Sequence, residues 1–342
     1  MLKNPFDWSL ALYAQDWTPL GQVSIDPDWE PAREWVRLVA QCDGRAPAAG
    51  DDAEVRPVWH RDNPRVIVGF RVAIAVEGQP REVSCAFPSR YFRQMATHSV
   101  APFVESGCLA AGETFRYLVL ATAQRRRSAR PAAPPFVVTD ATPPPVFVGA
   151  SMEPLVARAL TIGEPAPSEA PAFVSRHVLD EIAELSRNAG PLETGGALIG
   201  HLCHDVEARR VYTRVTAQLP ARHTEASVVS LLFTSETWSG LRDEIARRGR
   251  GERLVGWHHS HPVFEWCRLN QCQAFDHDGC ASEKGIFSEQ DRTLHRTVFA
   301  AAHSVALVAN LVTPSTVRFS AYGWSLGMIQ ARSVSVVGLE TS

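Results

Sequence analysis

The feature that most constrains this fold is an interruption in the middle of the chain. Between Arg125 and Pro171 lie ten of the 24 prolines, in runs such as "RPAAPP", "TPPPVF" and "GEPAPSEAP". Each proline fixes φ and removes a backbone donor, so neither a helix interior nor a central strand passes through such a stretch. The expected organisation is an extended linker over 125–171, with a short strand at Val146–Val148, between two separately packed parts, 1–124 and 172–342. The arginines Arg125–Arg127 read as solvated linker charge. A chain of 342 residues is long enough for two such domains.

Composition narrows the function classes. With 45% hydrophobic and 21% charged residues, the chain can build cores. A formal net charge of −3 gives no basic footprint, so no nucleic-acid partner is expected. The N-terminus has no sustained apolar run, and no stretch of 18 apolar residues occurs, so neither a signal peptide nor a membrane partner is expected. Seven cysteines, an odd number, then fit the reducing cytoplasm, as thiols or metal ligands. Of the 34 basic residues only Lys3 and Lys284 are lysines. A GC-rich genome accounts for that bias, and so does avoidance of amines near a lysine-modifying system.

The first part reads as a mixed α/β accessory domain. "PRVIVGFRVAIAV" and "TFRYLVLATA" have strand character, and "PAREWVRLVAQC" and "SRYFRQMATHSVAPFVESG" helical character. His60, His98, Cys42, Cys85 and Cys108 are scattered and read as packing residues. The expected role of 1–124 is recognition of a partner or substrate.

In the second part Ser175 can cap a helix with an apolar face at Val178, Ile182 and Leu185, stopped by Gly190. "ETGGALIGHL", "RRVYTRVTAQLP" and "SVVSLLFTS" read as strands, and "SETWSGLRDEIARRG" as a helix capped by Ser235. "ERLVGWHHSHP" is a strand ending in three histidines within four residues. Late strands follow at "VALVANLV" and "TVRFSAYGW". Helices and strands alternate without a regular βαβ beat, so the fold class is α+β.

A strand alternates faces, so His259 and His261 point one way and His258 and Ser260 the other. Imidazoles at i, i+2 can converge on one zinc, although two strand histidines are equally compatible with plain packing. Ser288 and Asp291 share one face at a helix start. The bland reading of that pair is an N-cap with acidic residues in the first turn. Glu193 stands at the mouth of a glycine-rich strand, where a solvated strand end is the alternative. No His-Glu-x-x-His helix, no Asp-His after the His-x-His, and no Pro-Cys-x-x-Cys of a deaminase is present.

Glu193 in "ETGGALIG", then His259-Ser260-His261-Pro262, then Ser288-x-x-Asp291, resembles the JAMM motif of the JAB/MPN metalloproteases. The resemblance spans roughly Ser175 to Met328. It implies a curved sheet flanked by helices, one catalytic zinc, and cleavage of isopeptide or peptide bonds after the C-terminus of a ubiquitin-like protein. It assigns His259, His261 and Asp291 to zinc, Glu193 to general base, and Ser288 to support of the oxyanion. The implied partners are a ubiquitin-like protein or its conjugates, and the activating and conjugating enzymes of the same system. Similar bacterial enzymes stand in such systems, some of them in anti-phage operons. A non-catalytic MPN scaffold and a zinc amidohydrolase acting on a small peptide conjugate are the alternatives.

The chain departs from the family pattern between His261 and Ser288, which 26 residues separate. This insertion, 263–287, also contains Asp276 and Asp278, but Asp291 keeps the Ser-x-x-Asp context. Cys267, Cys272, His277 and Cys280 lie within 14 residues of the insertion. Four soft ligands so close together suit a second, structural zinc that would order a polar loop.

Overall fold

The computed structural model describes residues 2–46, 53–63, 66–78, 82–124, 145–166, 168–221, 224–226, 231–269 and 287–338. The chain divides into two compact units, Met1–Ala40 with Arg45–Pro144 and Gln41–Gly44 with Pro145–Ser342. The architecture is α+β. No helix among the described residues is long and apolar enough to cross a membrane.

In chain order the first unit is built from β1 (Leu2–Lys3), β2 (Phe6–Ala14), β3 (Pro19–Ile25), α1 (Glu30–Cys42), β4 (Ala53–Trp59), β5 (Ile67–Ile74), β6 (Val83–Pro88), α2 (Arg93–Ser99), α3 (Ala101–Glu105) and β7 (Phe115–Ala123). Two sheets result, ordered β1-β4-β5-β6 and β3-β2-β7. Strand β2 buries alternate residues, Trp8, Leu10 and Leu12. Trp8 stacks on Phe92 with ring centroids 5.5 Å apart, and Trp29 meets Phe70 edge-on at 4.9 Å. Each such pair adds about 0.5–1.5 kcal/mol beyond area burial. The strands and helices expected at 64–76, 114–123, 31–42 and 89–107 form there, the last broken into a 3-10 turn and two short helices. His60, His98 and Cys108 are exposed rather than packed, and Cys42 and Cys85 are half-buried.

The second unit runs β8 (Val148–Gly149), α4 (Glu153–Val156), β9 (Leu160–Ile162), β10 (Ala172–Ser175), α5 (Arg176–Ala189), β11 (Gly195–Asp205), β12 (Arg210–Pro220), β13 (Thr224–Ala226), β14 (Leu231–Phe233), α6 (Ser235–Arg248), β15 (Arg253–His261), α7 (Val263–Leu269), α8 (Glu289–Val298), β16 (Val305–Leu311), β17 (Val317–Ser325), β18 (Met328–Arg332) and β19 (Val334–Val337). The stretch expected as an extended linker thus carries three elements between 148 and 162. Proline does not prevent this, because Pro154 sits in the first turn of α4, where a missing N–H costs nothing. Glu169 secures the stretch by accepting bonds from Ala166 N at 3.1 Å and Ser333 N at 3.2 Å.

The main sheet is ordered β18-β17-β16-β15-β11-β12-β10-β19-β9, with β8 added beside β11, and it curls into a half-barrel. Strand β16 is buried along its whole length and divides two cores by alternation. Val305 and Leu307 face one core with Val178 and Ile182 of α5, Leu198, Val215 and Val255. Ala306 and Val308 face the other with Trp257, Phe287, Phe299 and Tyr322. Each fully buried Val, Leu, Ile or Phe contributes about 1.5–3 kcal/mol. Helix α6 is capped one residue earlier than its sequence indicates, by Thr234, whose hydroxyl accepts from Thr237 N at 3.3 Å.

Candidate metal centre

Strand β15 delivers the histidines, and its pairing with β11 fixes what stands opposite them. The antiparallel register sets Gly196 against His258 and Gly195 against His259. One step further, Ser260 N donates to Thr194 O at 2.7 Å, and Thr194 N donates to Ser260 Oγ at 2.9 Å. Glu193 lies two residues ahead of β11, buried and close enough to Asp291 to feel its charge. Gly196 cannot be replaced in this pairing. A Cβ there would lie 2.2 Å from Leu219 O and 2.8 Å from His258 Nε2.

Three of the expected ligands converge. His259, His261 and Asp291 place one ligand atom each within 4.8 Å of one another, and no other such group occurs among the described residues. His259 Nε2 lies 2.9 Å from His261 Nε2 and 3.4 Å from Asp291 Oδ1. A tetrahedral zinc with ligands at 2.0–2.1 Å would separate donor atoms by about 3.3–3.4 Å. The His–Asp distance already matches that, and the imidazoles need only a few tenths of an ångström. The Nδ1 atoms of both histidines are buried without a geometric hydrogen-bond partner. The donor set therefore fits a borderline-soft divalent ion.

Asp291 serves two purposes with separate oxygens. Ser288 is the N-cap of α8, and its Oγ accepts from Asp291 N at 3.1 Å, while Ser288 N donates to Asp291 Oδ2 at 2.7 Å. This capping box holds the carboxylate still, with Oδ1 toward His259. The N-cap reading and the ligand reading of the pair are thus compatible. Ser288 Oγ accepts in the cap, so its own hydrogen remains available to donate.

Burial sets the protonation states. It lowers the pKa of His259 and His261 to about 3, and for His261 the neighbouring His259 adds to the effect while Asp291 and Asn310 oppose it. Both rings are therefore neutral, the ligating form, at neutral pH. Glu193 is buried, and desolvation, with the like charge of Asp291 second, raises its pKa to about 8. Burial also raises Asp291, against the bonds from Ser288. Without a cation, two acids in one low-dielectric site cannot both ionise cheaply.

Neighbours that sequence reading passed over hold the rings. Trp257 stacks on His259 with centroids 4.7 Å apart at 12°, and its Nε1 donates to His295 Nδ1 at 3.2 Å. Trp266 of α7 lies 4.8 Å from His261. His258 turns to the opposite face, where its Nε2 meets Gln218 Oε1 at 3.3 Å. Cys267 is buried in α7. Cys272, His277 and Cys280, the rest of the expected second zinc site, lie outside the described residues.

The geometry has a family counterpart. Residues 175–265 match the prokaryotic homologs of the JAB domain. This match supports the JAB/MPN resemblance over β10 to the start of α7 and includes Glu193, His259 and His261. No curated protein matches the chain. Among solved structures, the solution structure of a protein from Desulfitobacterium hafniense is 16% identical, covers 49% of this chain and 93% of that one, and superposes with a TM-score of 0.32.

Proposed function

We propose that the second unit is a zinc-dependent isopeptidase or peptidase that acts in the cytoplasm at the C-terminus of a ubiquitin-like protein, deconjugating it or maturing its precursor. The observation that carries this reading is the convergence of two buried neutral imidazoles and a helix-capping carboxylate, with a protonable Glu193 near enough to Asp291 to feel its charge. The JAB likeness of the same segment supports it.

His259 and His261 would hold the ion through Nε2, and Asp291 through Oδ1. When bound, zinc supplies Lewis acidity, lowering the pKa of a water toward about 7 and polarising a carbonyl. With a cation bound nearby, the Glu193 carboxyl would be ionised and able to act as a base. Glu193 then accepts a proton from the attacking water and delivers it to the departing amine. The Ser288 hydroxyl, whose lone pair is engaged by Asp291 N, donates its hydrogen to the developing oxyanion. Residues 1–124 would select the conjugate, alone or with the activating and conjugating enzymes of the system. Cys267, Cys272, His277 and Cys280 would bind a second, structural zinc.

The test is hydrolysis of ubiquitin-like C-terminal peptides amide-linked to an aminocoumarin, using zinc-loaded protein. Wild type releases the dye, and Glu193→Gln reduces turnover by about 10²–10⁴-fold while keeping its zinc. Zinc-loaded wild type that cleaves none of the peptides, and no isopeptide-linked conjugate, would move the assignment to a scaffold.

A further inference from the structure

The two imidazoles pose a hydrogen-counting problem. His259 Nε2 and His261 Nε2 stand 2.9 Å apart, so whenever no ion lies between them one must carry a hydrogen and the other a lone pair. Which ring donates depends on what each Nδ1 finds behind it. His261 lies directly across the parallel β15–β16 pair from Asn310. Asn310 is fully buried in a strand whose other residues are all apolar.

The orientation of the Asn310 amide is set by its surroundings. Nδ2 faces Ser320 Oγ at 3.1 Å, Arg318 O at 3.3 Å and Val308 O at 3.5 Å. Two of these are carbonyl oxygens, which only accept, so flipping the amide would set acceptor against acceptor. Oδ1 is thereby left as a buried acceptor. Asn310 Oδ1 and His261 Nδ1 are both buried with no hydrogen-bond partner in the structure, and they belong to residues paired side by side on one face of the sheet.

We propose that Asn310 is the positioning residue of the metal centre: its Oδ1 accepts the Nδ1 hydrogen of His261 and so commits the Nε2 lone pair of that ring to the ion. The metal-free site then has one consistent arrangement. His261 carries its hydrogen on Nδ1, and His259 carries its own on Nε2, directed at His261 Nε2 with Asp291 Oδ1 beside it. His261 is the prepared ligand, and His259 must change tautomer when an ion enters. The proposal rests on the zinc reading for its consequence but not for its geometry.

The test has two readouts. Long-range nitrogen–proton NMR of the metal-free protein should show the Nδ1–H tautomer for His261 and the Nε2–H tautomer for His259. In Asn310→Leu the His261 signal should lose its Nδ1–H character. Zinc affinity, read by competition with a chromophoric chelator, should weaken about 10–100-fold in Asn310→Leu. Asn310→Asp, which keeps an acceptor at the same place and, protonated in this buried position, a donor toward Arg318 O, should stay within a few-fold of wild type. A wild-type His261 in the Nε2–H form overturns the proposal, as does equal weakening by Leu and Asp. If Asn310→Leu does not fold, the wild-type spectrum and the Asp variant still decide. If wild type takes up no zinc, the metal reading fails, and the spectrum alone judges Asn310.

Discussion

The two faces of β15 carry the same residue type in nearly the same physical state, yet only one of them gathers potential ligand atoms from a second element. His258 is as buried as His259, and burial holds both at a pKa of about 3. On the α5 side, His258 finds Gln218, whose Nε2 in turn donates to Glu181 at 3.2 Å. That chain consumes the ring nitrogen in an ordinary packing bond. On the α8 side, two Nε2 atoms and one carboxylate oxygen lie within 4.8 Å of one another. A neutral, buried imidazole is therefore not diagnostic of a ligand. What distinguishes the faces is convergence from separate elements, β15 and α8, with the buried Glu193 near enough to Asp291 to feel its charge.

The largest effect should come from setting the faces against each other. His261→Ala, purified without added metal, should contain one zinc per chain fewer than wild type by mass spectrometry. His258→Gln should keep the wild-type zinc content, although disturbing a buried polar contact costs about 1–3 kcal/mol of stability. Equal loss of zinc in both variants would erase the distinction between the faces.

A smaller effect, of known sign, should come from Glu193. Its folded pKa of about 8 exceeds the unfolded value near ~4.3, so the folded state binds the extra proton. Its contribution is fully favourable below pH ~4.3 and is lost as pH rises through about 8. The buried histidines act at the other end. Their folded pKa values of about 3 lie below ~6.5, so their contribution is present above that pH and lost as pH falls toward 3. Metal-free Glu193→Gln should thus match wild type in denaturant melts near pH 4.5 and be the more stable protein at pH 8, by on the order of 3 kcal/mol. A difference independent of pH would mean that Glu193 is not the group that titrates.

Much of this was legible in the sequence, for definite reasons. The i, i+2 histidines and the Ser-x-x-Asp pair survive translation into space because strand and helix periodicities are local. The burial of Glu193 near Asp291 was not deducible from periodicity, since Glu193 precedes β11 in sequence and Asp291 stands on a distant helix. Asn310 left a trace that could have been used: a lone carboxamide inside "VALVANLV" is a buried polar group that needs partners. The proline-rich stretch misled in its second half. Composition reports lost donors but not that Pro154 stands at a helix start or that Glu169 is tied to Ser333. Strand β2 escaped notice because apolar Ala11 and Tyr13 occupy outward positions and blur its alternation, and β3 because Pro19 and Gly21 interrupt its pattern.

The smallest predicted effect separates structure from chemistry at Ser288. Two helices flanking the same core begin with the same device, Thr234 on α6 and Ser288 on α8, each hydroxyl accepting from the N3 amide. Removing either cap should cost about 1 kcal/mol in equilibrium melts of the metal-free protein. Asp291 keeps its bond from Ser288 N in Ser288→Ala, because that donor is backbone, so the carboxylate should stay in place and zinc content should not change. Thr234→Ala is then the matched control, with equal loss of stability at a residue outside the ligand cluster. If Ser288 also donates to the oxyanion, Ser288→Ala should lower turnover by about 10²-fold or more while Thr234→Ala does not. Equal turnover in the two variants would reduce Ser288 to a helix cap, and the ligand cluster would stand without that donor.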